Sequence, residues 1–530
     1  MFVNAPLTMH DLYAENRSDL DFVIYGEERL NYEAVYRRVC AFATALRSDY
    51  GVLHGDRVVI AMRNYPEWII AFFAVTSIGA IAVPVNAWWN NRELDYSLSD
   101  SQPKVIVADQ ERLARLADCE EITDGTSIVR VRTEAHPTLA SDDWNDALTA
   151  HANAEMPAVS VDPDDDAIIL YTSGSTGHPK GVVSSHRNII HSLLSWELDW
   201  ELRKHMGIYE LEEPEEQGGM LLAVPLFHVS GCHAAMLSCI RTQRKIVCMY
   251  KWDAELAMQL IEGERLTGLM ATPAISGDIV RASQTADYDL SSLIVLGGGG
   301  APRPPEQVRE IDNLTEKVVP ATGWGMTETN AIGAGIAAND YLERPASSGQ
   351  CSAVLDFRIV DEAGSECPIG ESGELQVRGT SMFRGYWNRP EADVAAFDGE
   401  WFRTGDAALI DEDGFLFIVD RIKDMVIRGG ENVGCGVVEA ALVEHPDVFE
   451  SCVYSVPDER LGEEVASTVY VARELAEDEL RRFLGERLAP FEIPRYFEQR
   501  TEPLPRIATG KIAKLQLRAE ARERLGPGVA

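Results

Sequence analysis

The sequence has few of the patterns that identify metal-binding, disulfide-rich or nucleic-acid-binding proteins. Its nine cysteines include no CxxC pair, so we expect free thiols in a reducing compartment rather than a disulfide framework. The histidine pairs His186/His191 and His228/His233 are spaced wrongly to share a helical face, so no zinc site is expected. With 48 Lys and Arg against 85 Asp and Glu, the formal net charge is −37, which should repel nucleic acid and anionic membranes.

Long apolar runs are scarce as well. The uncharged stretch 68–85 just reaches the length of about 18 residues that a membrane span requires. Because Gly79 and Pro84 interrupt it, we predict a buried helix over 66–78 followed by a strand over 81–85, and no integral membrane span. The N-terminus has neither a basic start nor an apolar core, so no signal peptide is predicted and a cytoplasmic location is expected.

The first half of the chain alternates strand-like and helix-like segments. Apolar strands are predicted at 56–61 and 104–108, with the helix at 66–78 between them. This alternation predicts an α/β fold in which helices cover sheets, and 530 residues predict more than one domain. A charge cluster at 420–433 follows a predicted hairpin, so we predict a large N-terminal domain over 1–420 and a small α/β domain over 421–530.

The stretch 171–183, YTSGSTGHPKGVV, is the strongest functional signal. An apolar strand leads into a loop whose hydroxyls, glycines and single lysine are Thr172, Ser173, Gly174, Ser175, Thr176, Gly177, Lys180 and Gly181. Glycines let backbone N–H groups approach an anion, hydroxyls donate hydrogen bonds and the lysine adds positive charge, so we predict a polyphosphate loop. The common GxxxxGK[ST] pattern does not fit, because Pro179 stands where its second glycine should be.

Three later stretches carry further candidate residues. The segment 293–302, LIVLGGGGAP, predicts a strand followed by a wall on which a ligand can lie against bare backbone. In ATGWGMTET, 321–329, Trp324 offers a flat face to adenine, Thr327 a phosphate contact and Glu328 a hard oxygen ligand for Mg²⁺. In WFRTGD, 401–406, the carboxylate of Asp406 is suited to accept from two ribose hydroxyls.

Together these motifs resemble the adenylate-forming superfamily, which includes acyl- and aryl-CoA synthetases, peptide-synthetase adenylation domains and firefly-type luciferases. The resemblance extends to PLFH at 225–228, to DRIKD at 420–424 and to PRIATGK at 505–511. It implies that Arg421 contacts the ribose, that Lys423 is the hinge of a mobile small domain, and that Lys511 bridges the acid and the α-phosphate. With Lys511, it implies Lys180 and His228 as catalytic residues, His228 at the gate between the acyl pocket and the nucleotide. It also implies two binding sites. The nucleotide site would include Gly300, Ala301, Pro302, Thr322, Gly323, Trp324, Gly325, Met326 and Thr327. The acyl pocket would include His228, Ser230, Gly231 and Gly299.

The resemblance implies an acyl-CoA synthetase that uses ATP, Mg²⁺ and coenzyme A to activate a small carboxylic acid. No acidic residue occupies 224–231, where amino-acid-activating relatives hold the substrate amine, so we expect a carboxylic acid without an α-amine. Our first choice is a medium- or long-chain fatty acid. An aryl-CoA ligase and an acyl-AMP ligase that loads a carrier protein stay open as alternatives, although 331–349 is short for the insertion typical of the latter. An adenylate sensor without catalysis is disfavoured because Lys180, Glu328 and Lys511 are all present.

Two details concern coenzyme A and assembly. After GGEN the family usually has Pro and then Glu, whereas this chain has Gly434, Cys435, Gly436 and Val437, which makes the thioester step less secure than adenylation. We expect Arg241, Arg244 and Lys245 to meet the coenzyme A phosphates. The sequence leaves the acid, the pathway and the oligomeric state open, a homodimer included.

Overall fold

The computed structural model describes residues 2–119, 125–172, 179–207, 214, 216–301, 303–422, 424–429, 431–458, 460–507 and 511–525. Within these ranges the chain is a mixed α/β protein with three sheets, as the alternating sequence pattern predicts. The helices, numbered in chain order, are α1 Met9–Ala14, α2 Tyr32–Ser48, α3 Pro66–Ser77, α4 Asn91–Ser101, α5 Gln110–Leu116, α6 Trp144–Ala150, α7 His186–His205, a π-helix Ser230–Leu237, α8 Ser238–Arg241, α9 Ala254–Glu264, α10 Pro273–Ser283, α11 Pro305–Asp312, α12 Ala338–Glu343, α13 Pro390–Ala396, α14 Cys435–Val443, α15 Glu477–Gly485 and α16 Lys514–Leu525.

The strands fall into a 14-stranded, an eight-stranded and a five-stranded sheet. In chain order they are β1 Asp21–Tyr25, β2 Glu28–Asn31, β3 Arg57–Ala61, β4 Ile81–Pro84, β5 Val105–Asp109, β6 Ser127–Val131, β7 Asp142–Asp143, β8 Asp166–Thr172, β9 Lys180–Ser185, β10 Gly219–Leu222, β11 Lys245–Cys248, β12 Gly268–Ala271, β13 Val295–Gly298, β14 Val319–Gly325, β15 Gly333–Ala337, β16 Gly349–Cys351, β17 Leu355–Val360, β18 Gly373–Gly379, β19 Gly385–Tyr386, β20 Phe397–Asp398, β21 Trp401–Ile410, β22 Phe415–Arg421, β23 Val426–Arg428, β24 Glu431–Val433, β25 Val448–Asp458, β26 Gly462–Val471 and β27 Tyr496–Arg500.

The eight-stranded sheet has the order β19-β9-β8-β4-β3-β5-β6-β7 and carries the predicted phosphate loop. Strands β3, β4 and β5 pair in parallel and are buried along almost their whole length, which is why their sequences are continuously apolar rather than alternating. Helix α3 begins at Pro66, whose fixed φ suits the first helical turn, and is buried on every side. The predicted helix at 66–78 and the strands at 56–61, 81–85 and 104–108 are therefore confirmed, with ends shifted by one residue.

The 14-stranded sheet has the order β17-β18-β21-β22-β16-β15-β14-β13-β12-β10-β11-β1-β2, with β20 paired to β21. Its middle strands β12, β13 and β14 run in parallel, so their carboxyl ends meet at one edge. The glycine wall follows β13 at this edge. The sequence predicts that the motif ATGWG follows a strand ending at residue 320. This prediction is wrong, because ATGWG forms residues 321–325 of β14 itself.

The apolar residues in AVPLFHVSG, 223–231, predict a strand with His228 at its end, and this prediction is wrong. The strand expected to deliver His228 ends at Leu222, because the next backbone groups bond to a side chain instead of to a neighbouring strand. Asn64 donates to the carbonyl of Val224 at 3.0 Å and accepts from the N–H of Leu226 at 2.9 Å, and Pro225 has no N–H to offer a sheet. His228 therefore lies in a turn that leads into the π-helix, with its N–H bonded to the carbonyl of Pro225.

The five-stranded sheet contains β24, β23, β26, β25 and β27, and has its own core with α14 and α15. Strand β22 ends at Arg421 in the large sheet and β23 begins at Val426 in the small one. The domain boundary predicted at 420/421 lies before the last residue of β22, and it stays a prediction. In the described ranges, no helix combines the length and the apolar character needed to cross a bilayer.

Candidate active site

The predicted phosphate loop joins two antiparallel strands at the edge of the eight-stranded sheet. Thr172 pairs with Lys180 and Tyr171 with Gly181, so β8 and β9 hold the two ends of the loop together. The hydroxyl of Tyr171 donates to Asp100 at 2.8 Å, which anchors the base of the loop. The loop residues Ser173, Gly174, Ser175, Thr176 and Gly177 lie outside the described residues.

Lys180 and Glu328 meet beside a tyrosine that we had not selected from the sequence. The ammonium of Lys180 lies 4.8 Å from the ring centroid of Tyr386, and the Tyr386 hydroxyl donates to Glu328 at 3.0 Å. Glu328 is buried, and burial raises its pKa, whereas Tyr386, Arg421 and Lys180 all lower it. In the sequence, Tyr386 belongs to RGYWNRPE, 384–391, a pattern that predicts only a strand and a turn leading to 401–406 and gives no chemical signal.

Asp406 is the centre of a second polar group. It is buried on β21, where its two carboxylate oxygens accept from the indole N–H of Trp324 at 2.8 Å and pair with Arg421 at 2.7 Å. Burial raises the pKa of Asp406, while Arg421, Trp324 and Lys511 lower it. Each carboxylate oxygen has a second lone pair, so the side chain retains the capacity to accept from two further hydroxyls.

Lys511 comes from the other lobe and faces this second group. Its loop is closed by the bond from the N–H of Ile507 to the carbonyl of Lys511 at 2.8 Å. By surface area the side chain is exposed, although protein surrounds it on most sides, as expected in an open cleft. This partial desolvation lowers the pKa of Lys511 and Arg421 lowers it further, whereas Asp406 raises it.

His228 faces Lys511 from the turn before the π-helix. Burial lowers the pKa of His228 to about 4, and Lys511 adds to that effect. Its Nε2 is buried and has no hydrogen-bond partner among the described residues. At neutral pH the ring is therefore uncharged, and its buried Nε2 can still bond to a ligand.

A continuous series of electrostatic contacts connects Lys180 to Lys511. Lys180 acts on Glu328, Arg421 acts on both Glu328 and Lys511, and Lys511 acts on Asp406 and His228. The structure therefore brings together the predicted residues Lys180, His228, Trp324, Glu328, Asp406, Arg421 and Lys511. Lys511 follows the strands of the five-stranded sheet in the chain, whereas the other six residues precede them.

The predicted wall lies at the same edge. Gly300 and Ala301 are exposed, and Gly300 has a positive φ of 80° with open space where a side chain would point. Thr322, Gly323, Met326 and Thr327 are partly exposed along and after β14, and Gly325 is exposed. Pro302 and Lys423 lie outside the described residues.

Several glycines in these motifs have a packing reason as well. A Cβ at Gly323 would stand 2.6 Å from the carbonyl of Ala334, and one at Gly325 would stand 2.2 Å from that of Ala331. A Cβ at Gly299 would meet the carbonyl of Gly323 at 3.0 Å. Gly231 lies against the backbone of Pro225, while its neighbour Ser230 is exposed at the start of the π-helix. Tight backbone contacts thus require glycine at these positions whether or not a ligand is bound.

The surroundings of Glu328 fit a metal ligand that shares its ion with phosphate oxygens. Within the described ranges, no group of three or more His, Cys, Asp or Glu residues could hold a metal ion alone. Mg²⁺ does not need such a cage when it is shared with phosphate oxygens, since one or two carboxylates then suffice. A buried carboxylate beside Lys180, at the end of the phosphate loop, fits that mode of binding.

The cations expected to meet coenzyme A have other partners. Arg241 pairs with Glu197 at 2.9 Å and Lys245 with Glu264 at 3.3 Å. On the small lobe, a cavity of about 760 Å³ is lined by four arginines, Arg428, Arg460, Arg481 and Arg495, together with Asp458 and Glu464. No local sequence pattern marks these arginines, because they are spread from position 428 to position 495.

Comparison with known proteins agrees with the geometry. The AMP-binding enzyme family matches residues 11–387, and the AMP-binding enzyme C-terminal domain matches residues 437–511. A long-chain-fatty-acid–CoA ligase of Mycobacterium tuberculosis is 33% identical over 506 residues, covering 94% of this chain and 95% of its own. A feruloyl-CoA synthase of an Amycolatopsis species is 33% identical over 508 residues, covering 95% of this chain and 96% of its own.

Solved structures show the same fold. ATP-bound MatB from Rhodopseudomonas palustris superposes with a TM-score of 0.84 at 26% identity, covering 98% of this chain and 100% of that one. The o-succinylbenzoate CoA synthetase of Bacillus subtilis, in complex with its acyl-adenylate, superposes with a TM-score of 0.80 at 26% identity, covering 96% and 97%. The chain therefore belongs to the AMP-binding enzyme family, as an adenylate-forming ligase of the acyl- or aryl-CoA type.

Proposed function

We propose that this enzyme joins a free carboxylic acid to AMP and then transfers the acyl group to the thiol of coenzyme A. The observation that carries the proposal is the position of Lys511, a small-lobe residue, beside Asp406 and Arg421 of the large sheet. A carboxylate is a poor electrophile, and the mixed anhydride with AMP gives it a good leaving group. Both lobes contribute to that activation.

In the first step the substrate carboxylate attacks the α-phosphorus in line and pyrophosphate leaves. The transition state is highly anionic, so fixed positive charges contribute more than acid–base groups. Lys180 and Lys511 supply two charges from opposite sides. Asp406 and Arg421 hold the ribose, Thr322, Gly323, Gly325, Met326 and Thr327 line the nucleotide, and Trp324 borders the adenine. Mg²⁺ held by Glu328 would neutralise phosphate charge when bound.

In the second step the thiol attacks the acyl carbon and AMP leaves. A free thiol has a pKa near 8.5 and the adenylate is a good leaving group, so no strong base is required. His228, neutral at physiological pH, borders the acyl group with Ser230, Gly231 and Gly299 and does not act as an acid there. We propose that the domain over 421–530 rotates about Lys423 between the steps and withdraws Lys511.

For the coenzyme A phosphates, the arginine-lined cavity of the small lobe is a second candidate beside Arg241, Arg244 and Lys245. Arg241 and Lys245 pair with carboxylates, and three of the four cavity arginines do so as well: Arg428 with Glu464, Arg481 with Glu477 and Arg495 with Asp458. The departure at Gly434–Val437 does not disturb α14, because the N–H of Cys435 donates to Asp420 at the start of that helix. Support for the thioester step comes from the similarity to coenzyme A ligases.

For the acid, we propose a medium- or long-chain aliphatic substrate, with an aryl acid as the variant that the feruloyl-CoA synthase relative favours. The co-substrates and the nine free cysteines, all within the described part of the chain, agree with the predicted cytoplasmic location. A homodimer stays a prediction.

The test is a screen of carboxylic acids for AMP production that requires both ATP and coenzyme A. We expect AMP and acyl-CoA to form in equal amounts with at least one acid. Pyrophosphate release without transfer to coenzyme A would instead support an acyl-AMP ligase, and no turnover with any acid would contradict the proposal.

A further inference from the structure

One charged side chain behind the glycine wall is buried without a counter-charge. Arg303 is only 7% exposed. In the part of the chain that the structure describes, no carboxylate forms an ion pair with it, and the groups that influence its pKa include no acid other than the phenol of Tyr341. This is unusual in a protein with a net charge of −37, in which most arginines have a carboxylate partner.

The hydrogen-bond partners of Arg303 are neutral and few. Its Nη1 donates to the side-chain oxygen of Gln307 at 2.9 Å, and its Nη2 reaches the hydroxyl of Ser276 at the long distance of 3.4 Å. Burial lowers the pKa of Arg303, and a hydrogen bond with the neutral hydroxyl of Tyr341 raises it in part. Its Nε is buried and has no partner among the described residues. Gln307 is held in place by its own bond to the carbonyl of Pro273 at 2.9 Å, so it cannot turn to offer more.

Leaving a guanidinium in this state is energetically costly. Burial lowers the pKa of Arg303, but a guanidinium stays protonated in proteins, so the charge itself persists. A buried charge that lacks a partner loses its hydration without compensation. An anion bound beside Nε and Nη2 would restore both the missing charge and the missing acceptors.

The position of the guanidinium places such an anion near the substrate. Its Nη2 lies 3.3 Å from where a Cβ would stand at Gly298, the last residue of β13. The carbonyl of Gly298 accepts from the hydroxyl of Thr322 at 3.2 Å, and Tyr341 lies close enough to influence Arg303 and to bond with Thr322. Arg303 therefore borders the same strand end from which the wall of the proposed acyl site extends.

We propose that Arg303 binds a second carboxylate of the acid substrate, so that the substrate class is a dicarboxylic acid. The inference rests on the proposed function and narrows it: one carboxylate is activated near Lys511 while the other pairs with the guanidinium. The bidentate geometry of arginine suits a planar carboxylate better than a neutral carbonyl. No bond is made or broken at this second group.

The experiment compares matched acids on the full-length enzyme. Initial rates of AMP formation are measured with adipate, suberate and sebacate, with the monocarboxylic acids of equal length, and with the monomethyl esters of the diacids. For the diacid that fits, we expect kcat/KM to exceed that of its monoester by about 30-fold or more, the cost of removing one partner of a buried charge pair. Arg303→Met should abolish this ratio by weakening the diacid alone.

Two further variants separate recognition from folding. Arg303→Lys should restore part of the preference because it retains the charge, and Arg309→Met, an exposed arginine on the following helix, should leave the ratio unchanged. The ratio of two substrates does not depend on the fraction of folded enzyme, and the wild-type comparison decides even if a variant fails to fold. Equal rates with diacid, monoester and monoacid in wild type would overturn the inference while leaving the proposed function standing. A preference for neutral carbonyl-bearing acids, or an equal loss with every acid in Arg303→Met, would also overturn it.

Discussion

The two lysines of the site are held in opposite ways. Lys180 is the first residue of β9, its backbone is part of the β8–β9 hairpin, and its ammonium lies over the ring of Tyr386. Lys511 ends a loop outside the regular strands, closed by backbone bonds from Ile507 to Lys511 and from Ala513 to Pro505, and its side chain is exposed. One cation belongs to the central sheet, while the other is presented by the edge of the small lobe.

This difference indicates a division of roles. A charge fixed in a sheet is present whenever the nucleotide is bound, so it stabilises ground state and transition state alike. A charge on a separate lobe can be present for one step and absent for the next, at the cost of a conformational change. We therefore expect loss of Lys511 to affect only the first half-reaction, and loss of Lys180 to affect nucleotide binding throughout.

The largest effect is expected for Lys511→Ala. Removing one preorganised charge from an anionic transition state lowers the rate by about 10²–10³-fold, and we expect that loss in acyl-adenylate formation. Thioester formation from supplied acyl-adenylate should continue at the normal rate, as measured by acyl-CoA appearance. Lys251→Ala, an exposed lysine on the large lobe, is the control. An equal loss in both half-reactions would contradict the division of roles.

Lys180→Ala should be next, with a loss of about 10²-fold in adenylation. In contrast to Lys511→Ala, it should also weaken ATP binding, measured by calorimetry without the acid. It should raise the pKa of Glu328 further, because Lys180 lowers it in the native enzyme. If ATP binding were weakened by Lys511→Ala and not by Lys180→Ala, the comparison between the two lysines would be reversed.

Much of this site was predictable because its chemistry is concentrated in short segments. Each of four site residues lies in a short motif whose neighbouring residues indicate the same nucleotide-binding role: Lys180, Glu328, Asp406 and Lys511. Electrostatic contacts connect all four in the structure. The helix at 66–78 was predictable because an uninterrupted apolar run ending at glycine has few other solutions.

The remainder depends on contacts between residues distant in sequence. Asn64 ends β10 from 158 positions away, and no local pattern in 219–228 indicates it. Tyr386 reaches Glu328 across 58 positions. Arg303 is identified only in three dimensions, because no carboxylate among the residues that the structure describes pairs with it. Gly181 was interpreted as an anion contact, whereas a Cβ there would stand 2.8 Å from Ile169, which gives it a packing reason.

Glu328→Gln should have an intermediate effect, because it removes charge on the Lys180 side but retains the shape. We expect about tenfold to thirtyfold slower adenylation and a higher Mg²⁺ concentration at half-saturation. Tyr386→Phe removes only the hydroxyl that donates to Glu328 and should change the Mg²⁺ dependence in the same direction by less. An unchanged Mg²⁺ titration in both variants would exclude Glu328 as the metal ligand.

The pH dependence of kcat/KM for ATP tests Lys511 by itself, with a smaller expected effect than the substitutions above. Burial and Arg421 lower the pKa of Lys511, so its positive charge is lost as pH rises through that lowered value. The kcat/KM for ATP should therefore fall at alkaline pH, by about twofold at the pKa and more steeply above it. Lys511→Arg, which stays charged, should remove the decline. An identical decline in that variant would assign it to another group.

The smallest effect is expected for Trp324→Phe, which sharpens the comparison on the Lys511 side of the site. The variant retains an aromatic face but loses the indole N–H that donates to Asp406 at 2.8 Å. Because that hydrogen bond lowers the pKa of Asp406, its loss should raise that pKa, and ATP binding should weaken about threefold and begin to fail at a higher pH on the acid side. Trp324→Tyr places a hydroxyl in the same region and should recover part of the affinity. If the phenylalanine variant bound ATP as tightly as wild type at every pH, Arg421 and Lys511 would suffice to hold Asp406 in its ionised form, and the indole would serve only as a surface for the adenine.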